Sequence, residues 1–275
     1  MSTHGPRLRP DLEALPSYKA GQRPRARTDI TTYKISSNES HHVPLDSVQA
    51  AIVAAVTDIN RYPDPFSREL VATIAGHFEV SSEHVSLGTG SVALCGQIIA
   101  SAAGPGDSIM YAWRSFESYP IWTGIAGANS IQVPLKDDET HDLDAMLDAL
   151  TPETRVIFIC SPNNPTGQIV DRDELEKFIR QVPVEVVIVL DEAYIEFSGL
   201  ENSKIGDVPK RDNLIVLRTF SKRAALAGMR IGYGAFPTGI IEYLWAAKQP
   251  YNVSVAAEVA ACAALSNPVY LKDVK

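Results

Sequence analysis

The chain has 275 residues, 45% of them apolar, and a formal net charge of −8, enough apolar material for one large core and a smaller unit beside it. An acidic balance with no Lys/Arg run longer than two residues offers no field for nucleic-acid phosphates or anionic lipid. Cys95, Cys160 and Cys262 form no C-x-x-C pair, which fits a reducing cytoplasm, and no run of about 18 apolar residues is present to span a membrane.

Residues 1–40 are broken by Pro6, Pro10, Pro16, Gly21 and Pro24 and read as an extended arm without a signal peptide's apolar stretch. Beyond it, helical spacing of apolar residues at 46–58 and 67–77 precedes a strand-like run at 84–87. A helix at 91–103 then leads to runs at 108–112 and 130–133, a helix at 142–150, a run at 156–160 and a helix at 172–181. Runs at 184–190 and 214–217 follow, and 237–265 reads as helix, a break at 249–252, then helix again. This alternation predicts an α/β fold with a mostly parallel sheet sandwiched by helices. In such sheets ligands bind outside the carboxyl ends of the strands.

The residues at those ends carry chemistry. Run 84–87 enters Gly88-Thr89-Gly90-Ser91-Val92-Ala93, which fits either a dinucleotide fingerprint or a simpler cradle in which helix amides hold one phosphate. The dinucleotide reading needs an acidic residue ending the next strand, where Trp113-Arg114 stands instead. A structural glycine turn is the bland alternative. Run 156–160 ends in Ser161-Pro162-Asn163-Asn164-Pro165-Thr166-Gly167, a turn presenting two amide side chains. Run 184–190 ends in Asp191-Glu192-Ala193-Tyr194 without the Gly-Lys dipeptide of a P-loop anywhere in the chain. Asp191 at a buried edge calls for a cationic or hydrogen-bonding partner, such as a protonated ring nitrogen; a helix cap is its bland reading. Run 214–217 leads into Arg218-Thr219-Phe220-Ser221-Lys222, with apolar Leu226-Ala227-Gly228-Met229 before Arg230. A lysine drawn into such an interior is suited to bonding a carbonyl carbon. The 6 histidines include no H-x-x-x-H pair, so no metal site is expected.

Taken together, G-T-G-S at 88–91, S-P-N-N-P-T-G at 161–167, D-E-A-Y at 191–194, T-F-S-K at 219–222 and L-A-G-M-R-I-G-Y at 226–233 closely resemble the class I/II aminotransferases dependent on pyridoxal 5′-phosphate (PLP). Leu15–Gly21 (L-P-x-Y-x-x-G) and Tyr62-Pro63-Asp64 are similar to the branch that holds histidinol-phosphate and bacterial aromatic amino acid aminotransferases. Trp113–Pro120 and Gly90–Cys95 look like the aromatic group.

The resemblance implies a fold type I PLP-transferase with an incomplete small α/β domain: an arm at 1–40 belonging to that domain, a large cofactor domain at 41–248, and a truncated beginning of the small domain at 249–275. It implies amino-group transfer between an aromatic L-amino acid and a 2-oxo acid, with a histidinol-phosphate aminotransferase, a weakly active truncated homologue, or another PLP chemistry on the same scaffold as alternatives. Lys222 would carry the cofactor and move the substrate proton, Asp191 would pair with the ring nitrogen, and Tyr194 and Asn164 would bond the ring oxygen. Phe116 would stack on the ring. Gly90, Ser91, Val92, Thr219, Ser221 and Arg230 would hold the phosphate, and Tyr62 would reach the phosphate of the neighbouring subunit in a cytoplasmic homodimer. Tyr18, Asn38, Tyr251 and Asn252 match substrate-pocket positions. Arg223-Ala224-Ala225 stands where the family carries Ala, an aromatic and Gly, placing an added charge beside the lysine. An uncovered apolar face is expected on the helix at 253–265.

Overall fold

The computed structural model describes residues 9–13, 15 and 27–267. In chain order the main elements are α1 (Asp46–Ala55), α2 (Arg68–Phe78), β1 (Val85–Gly88), α3 (Ser91–Ala102), β2 (Ser108–Trp113), α4 (Ser118–Ala126), β3 (Asn129–Pro134), α5 (Leu143–Asp148) and β4 (Thr154–Cys160). They continue with α6 (Arg172–Gln181), β5 (Val187–Asp191), α7 (Ile195–Ser198), β6 (Leu214–Thr219), β7 (Gly232–Ala235), α8 (Thr238–Ala247) and α9 (Val255–Leu265). The strands form a 7-stranded sheet in the order β1-β7-β6-β5-β4-β2-β3. Strands β2 to β6 pair in parallel, and β7 runs antiparallel to both its neighbours.

Successive side chains of a strand point to opposite faces, and here each face has its own core. Ile157, Ile159, Ile188 and Leu190 pack with residues of α1, α2, α5, α6 and α9. Val156, Phe158, Val189, Ile215 and Leu217 pack with α3, α4 and α8. Both faces are therefore covered, which explains why the central runs read as continuously apolar. Helix starts follow local chemistry: the Asp171 carboxylate accepts from the amides of Asp173 and Glu174 to open α6, and Ser254 caps α9 through Ala257 N.

Four expectations change. The apolar run at 184–190 begins as a turn, Val186 N bonding Pro183 O at 3.0 Å, and becomes strand only at Val187. Helix α4 was not legible because Pro120 and Gly124 interrupt its pattern, yet a proline in the first turn removes no intrahelical hydrogen bond. Strand β7 is Gly-Tyr-Gly-Ala, which has little strand propensity; it exists because β1 and β6 pair with it from both sides. A Cβ on Gly232 would stand 2.4 Å from Ser91 N, so this strand passes the start of α3 at a distance only glycine allows. Finally, the apolar face of α9 is covered: Ala257, Ala260, Ala261 and Ala264 are buried in the core shared with α1 and α2.

Candidate active site

The carboxyl ends of β2, β4, β5 and β6 and the start of α3 open on one cavity of about 950 Å³. Ser91 and Val92 line it from α3, Asn164 follows β4, Asp191 ends β5, and Thr219, Ser221 and Lys222 come from the end of β6. Phe116, Tyr194, Arg230 and Asn38 of the arm complete the set of expected residues found there. Tyr62, Tyr251 and Asn252 are elsewhere, on a separate depression of about 470 Å³. The rings of Tyr62 and Tyr251 stack at 4.7 Å, and the Asn252 amide donates to Leu87 O at 3.2 Å, so within this chain these three are not pocket residues. Tyr18 lies outside the described residues.

One end of the cavity is built for an anion. Gly90, with φ +78°, precedes α3, and a Cβ there would stand 2.5 Å from Arg230 Nη2, so glycine lets the guanidinium lie against the free helix amides. Arg230 Nη1 also donates to Ser221 Oγ at 3.3 Å, and Thr219 Oγ1 donates to Ser221 Oγ at 2.9 Å. Cation, hydroxyls and helix N-terminus thus converge as a phosphate group requires.

The other polar groups face the middle. Lys222 Nζ donates to Ser37 O at 3.3 Å and stands 5.5 Å from the centre of the Tyr194 ring. Burial, then Arg230, lowers its pKa against the opposing pull of Glu39 and Asp191, which raises the share of neutral, nucleophilic amine. The Tyr194 hydroxyl accepts from Asn38 Nδ2 at 3.1 Å. Asn164 lines the cavity, whereas its neighbour Asn163 is buried and spends its amide on Ser115, Arg114 O and Thr166; the turn presents one amide to the site.

Asp191 is 2% exposed. Burial raises its pKa, opposed by hydrogen bonds from the Tyr119 hydroxyl and Ala193 N. Its folded-state pKa therefore exceeds its unfolded value, and cofactor-free protein loses stability as pH rises through the folded-state pKa. Asp191→Asn removes that loss. Cofactor-free variant is expected to melt above wild type at about pH 8, at about 2–4 °C per kcal/mol, with the gap closing below about pH 4. A variant that melts lower than wild type throughout contradicts this account.

Sequence reading missed several contributors. Tyr119 is fully buried, and its hydroxyl donates to Asp191 Oδ2 at 2.7 Å; its three-residue spacing from Phe116 was the available signal. Ile121, Trp122 and Ile125 form an apolar wall, with Arg114 and Glu117 nearby paired at 2.5 Å. The added charge at Arg223 is not among the cavity-lining residues; it is one of the cations that oppose the burial-raised pKa of Glu196.

Residues 30–273 match the family described as Aminotransferase class I and II. The chain is 47% identical over 269 residues to the aromatic amino acid aminotransferase of Streptomyces coelicolor, covering 96% of this chain and 74% of that protein. It is 44% identical over 265 residues to the protein of the same name from Thermobifida fusca, covering 95% and 73%. Among solved structures, histidinol-phosphate aminotransferase from Sinorhizobium meliloti in complex with pyridoxal-5′-phosphate superposes with a TM-score of 0.88 at 29% identity, covering 99% of this chain and 74% of that one. A strand-end cavity with an anion cradle, a half-buried lysine and a buried aspartate, in a sheet of this topology and a sequence this similar, has one consistent reading: the chain belongs to the class I and II aminotransferase family.

Proposed function

We propose that the protein is a PLP-dependent aminotransferase that exchanges an amino group between an aromatic L-amino acid and a 2-oxo acid. The observation that carries this is the convergence of Lys222, Asp191, Asn164, Tyr194, Thr219, Ser221 and Arg230 on one cavity. When bound, PLP supplies a carbonyl carbon that exchanges between amines and an electron-withdrawing ring.

The residues divide the remaining work. Arg230, Thr219, Ser221 and the amides of Ser91 and Val92 would bind the phosphate, with Gly90 leaving room for the guanidinium. Asp191 would hold a proton on the ring nitrogen, a buried carboxylate gaining a cationic partner. Asn164 and Tyr194 would orient the ring through its oxygen, and Phe116 would cover one face. Lys222 would bond the carbonyl carbon, be displaced by the substrate amine, and then take the proton from the substrate α-carbon.

The wall of Ile121, Trp122 and Ile125 suits an aromatic side chain. A phosphate ester would need a further cation; Arg114 is engaged by Glu117, and Lys222 and Arg230 serve the cofactor in this reading. Steady-state rates with phenylalanine, tyrosine and histidinol phosphate, each with a 2-oxo acid acceptor, test the choice. The expected result is a kcat/KM at least about 10-fold higher for the aromatic substrates, on the scale of one differential contact. Preference for histidinol phosphate would reverse it.

The same reading makes the active unit a homodimer in which Tyr62 serves the opposite subunit. Tyr62 is 83% exposed and Tyr33, Ile35 and Val43 are also exposed, side chains that a partner subunit would cover. Mixing Tyr62→Phe with Lys222→Ala chains is expected to yield heterodimers with one unimpaired site. Activity that never exceeds that of the separate variants would disprove sharing. Among the described residues no helix is long and apolar enough to cross a membrane, and Cys95, Cys160 and Cys262 are free thiols, which fits a reducing cytoplasm.

A further inference from the structure

We propose that Tyr119 is a positioning residue that acts through Asp191 and Phe116, its hydroxyl fixing the carboxylate and its ring bracing the phenyl group. The inference rests on the cavity being the PLP site, where those two residues would meet the cofactor ring. The geometry is direct. Tyr119 Oη donates to Asp191 Oδ2 at 2.7 Å, while Asp191 Oδ1 accepts from Ala193 N at 3.2 Å, so one backbone amide and one phenol set the plane of the carboxyl group. The Tyr119 ring is stacked on Phe158 at 4.5 Å and 19° and meets Phe116 edge-on at 5.5 Å and 90°. With 0% exposure, it has no freedom to release either partner.

The choice of a phenol matters chemically. A buried carboxylate unsupported by donors is costly, and an arginine or lysine at this position would cancel its charge and leave nothing for a ring nitrogen. A neutral hydroxyl supports the carboxylate and leaves its charge in place. Burial and the neighbouring Asp191 raise the Tyr119 pKa well above the ordinary phenol value, so it donates and does not become a competing anion. Local sequence makes the arrangement possible: Tyr119 N bonds Phe116 O at 3.1 Å as α4 starts, which puts both rings on one side of the turn.

The test is a double-mutant cycle read by PLP binding to cofactor-free protein, followed by absorbance and tryptophan fluorescence. Tyr119→Phe keeps the ring and removes the hydroxyl. It is expected to weaken PLP binding about 10- to 100-fold when Asp191 is present, the scale of a hydrogen bond to a charged group, and less than about 3-fold in an Asp191→Asn background. Equal penalties in both backgrounds, or none in either, overturn the proposal, since a merely structural phenol would not distinguish them. Tyr119→Leu is expected to bind PLP weaker still than Tyr119→Phe; equal affinity would remove the bracing of Phe116. Melting of each cofactor-free variant sets a temperature at which all four proteins of the cycle are folded. Wild type that takes up no PLP, or a borohydride-fixed pyridoxyl group on a lysine other than Lys222, would overturn the reading of the site itself. Normal wild-type binding with a flat cycle would overturn only the role of Tyr119.

Discussion

Replacing Lys222 by alanine is expected to lower kcat by on the order of 10⁴-fold, the upper range for a group that transfers the reacting proton, and to abolish borohydride fixation of the cofactor. The size of the effect follows from Lys222 being the one lysine among the described residues that line the cavity. Lys248 is also partly buried, and its pKa is lowered by burial against the pull of Asp64 and Glu258, so by titration alone it resembles a reactive amine. Its ammonium donates to Pro65 O at 3.4 Å, and it does not line the cavity. Lys204 is 4% exposed but engaged with Glu176 at 3.0 Å and Asp207 at 3.7 Å. Peptide mapping after reduction should therefore place the pyridoxyl group on Lys222. Label on Lys204, Lys210 or Lys248 would end this assignment.

The largest loss of stability is expected from Arg218→Met. Arg218 is 1% exposed and lies one residue before Thr219, on the face of β6 away from the cavity. Its Nε donates to Glu192 Oε2 at 3.1 Å, its Nη2 donates to Ser203 Oγ at 2.6 Å, and its guanidinium carbon sits 4.7 Å from the centre of the Phe78 ring. Glu196 approaches Nη1 at 3.9 Å. Removing the cation leaves the carboxylates of Glu192 and Glu196 without the positive charge that both approach, at a cost of about 3–5 kcal/mol, or on the order of 10 °C in melting temperature. Arg218→Met combined with Glu192→Met should recover more than half of that loss, because an apolar pair replaces an ion pair at little net cost. Denaturation of the three variants decides it. A single variant within about 1 kcal/mol of wild type would show that the pair is dispensable.

The Arg218 prediction concerns neighbours in sequence with opposite destinations. Asp191 ends β5 and Glu192 follows it, while Arg218 and Thr219 end β6; one of each pair faces the cavity and the other lies beneath the sheet. The D-E-A-Y and R-T-F-S-K motifs were legible as strand ends, but Glu192 and Arg218 carried no visible task until the register of β5 against β6 set Asp191 opposite Leu217.

By itself the sequence determined most of the alternation of helix and strand, the layered architecture and the residues that follow the ends of β4, β5 and β6 into the cavity, because periodicity, caps and short motifs are local and the carboxyl edge of a parallel strand is where its last residues must lie. Only the tertiary structure decided what each residue touches. Tyr119 and Asp191 are 72 positions apart, Asn38 and Tyr194 are 156 apart, and β7 is a strand because its two neighbours make it one. None of these has a local signal. The energy that fixes them comes from burial and pairing between distant segments, which exists only once the sheet has closed around them.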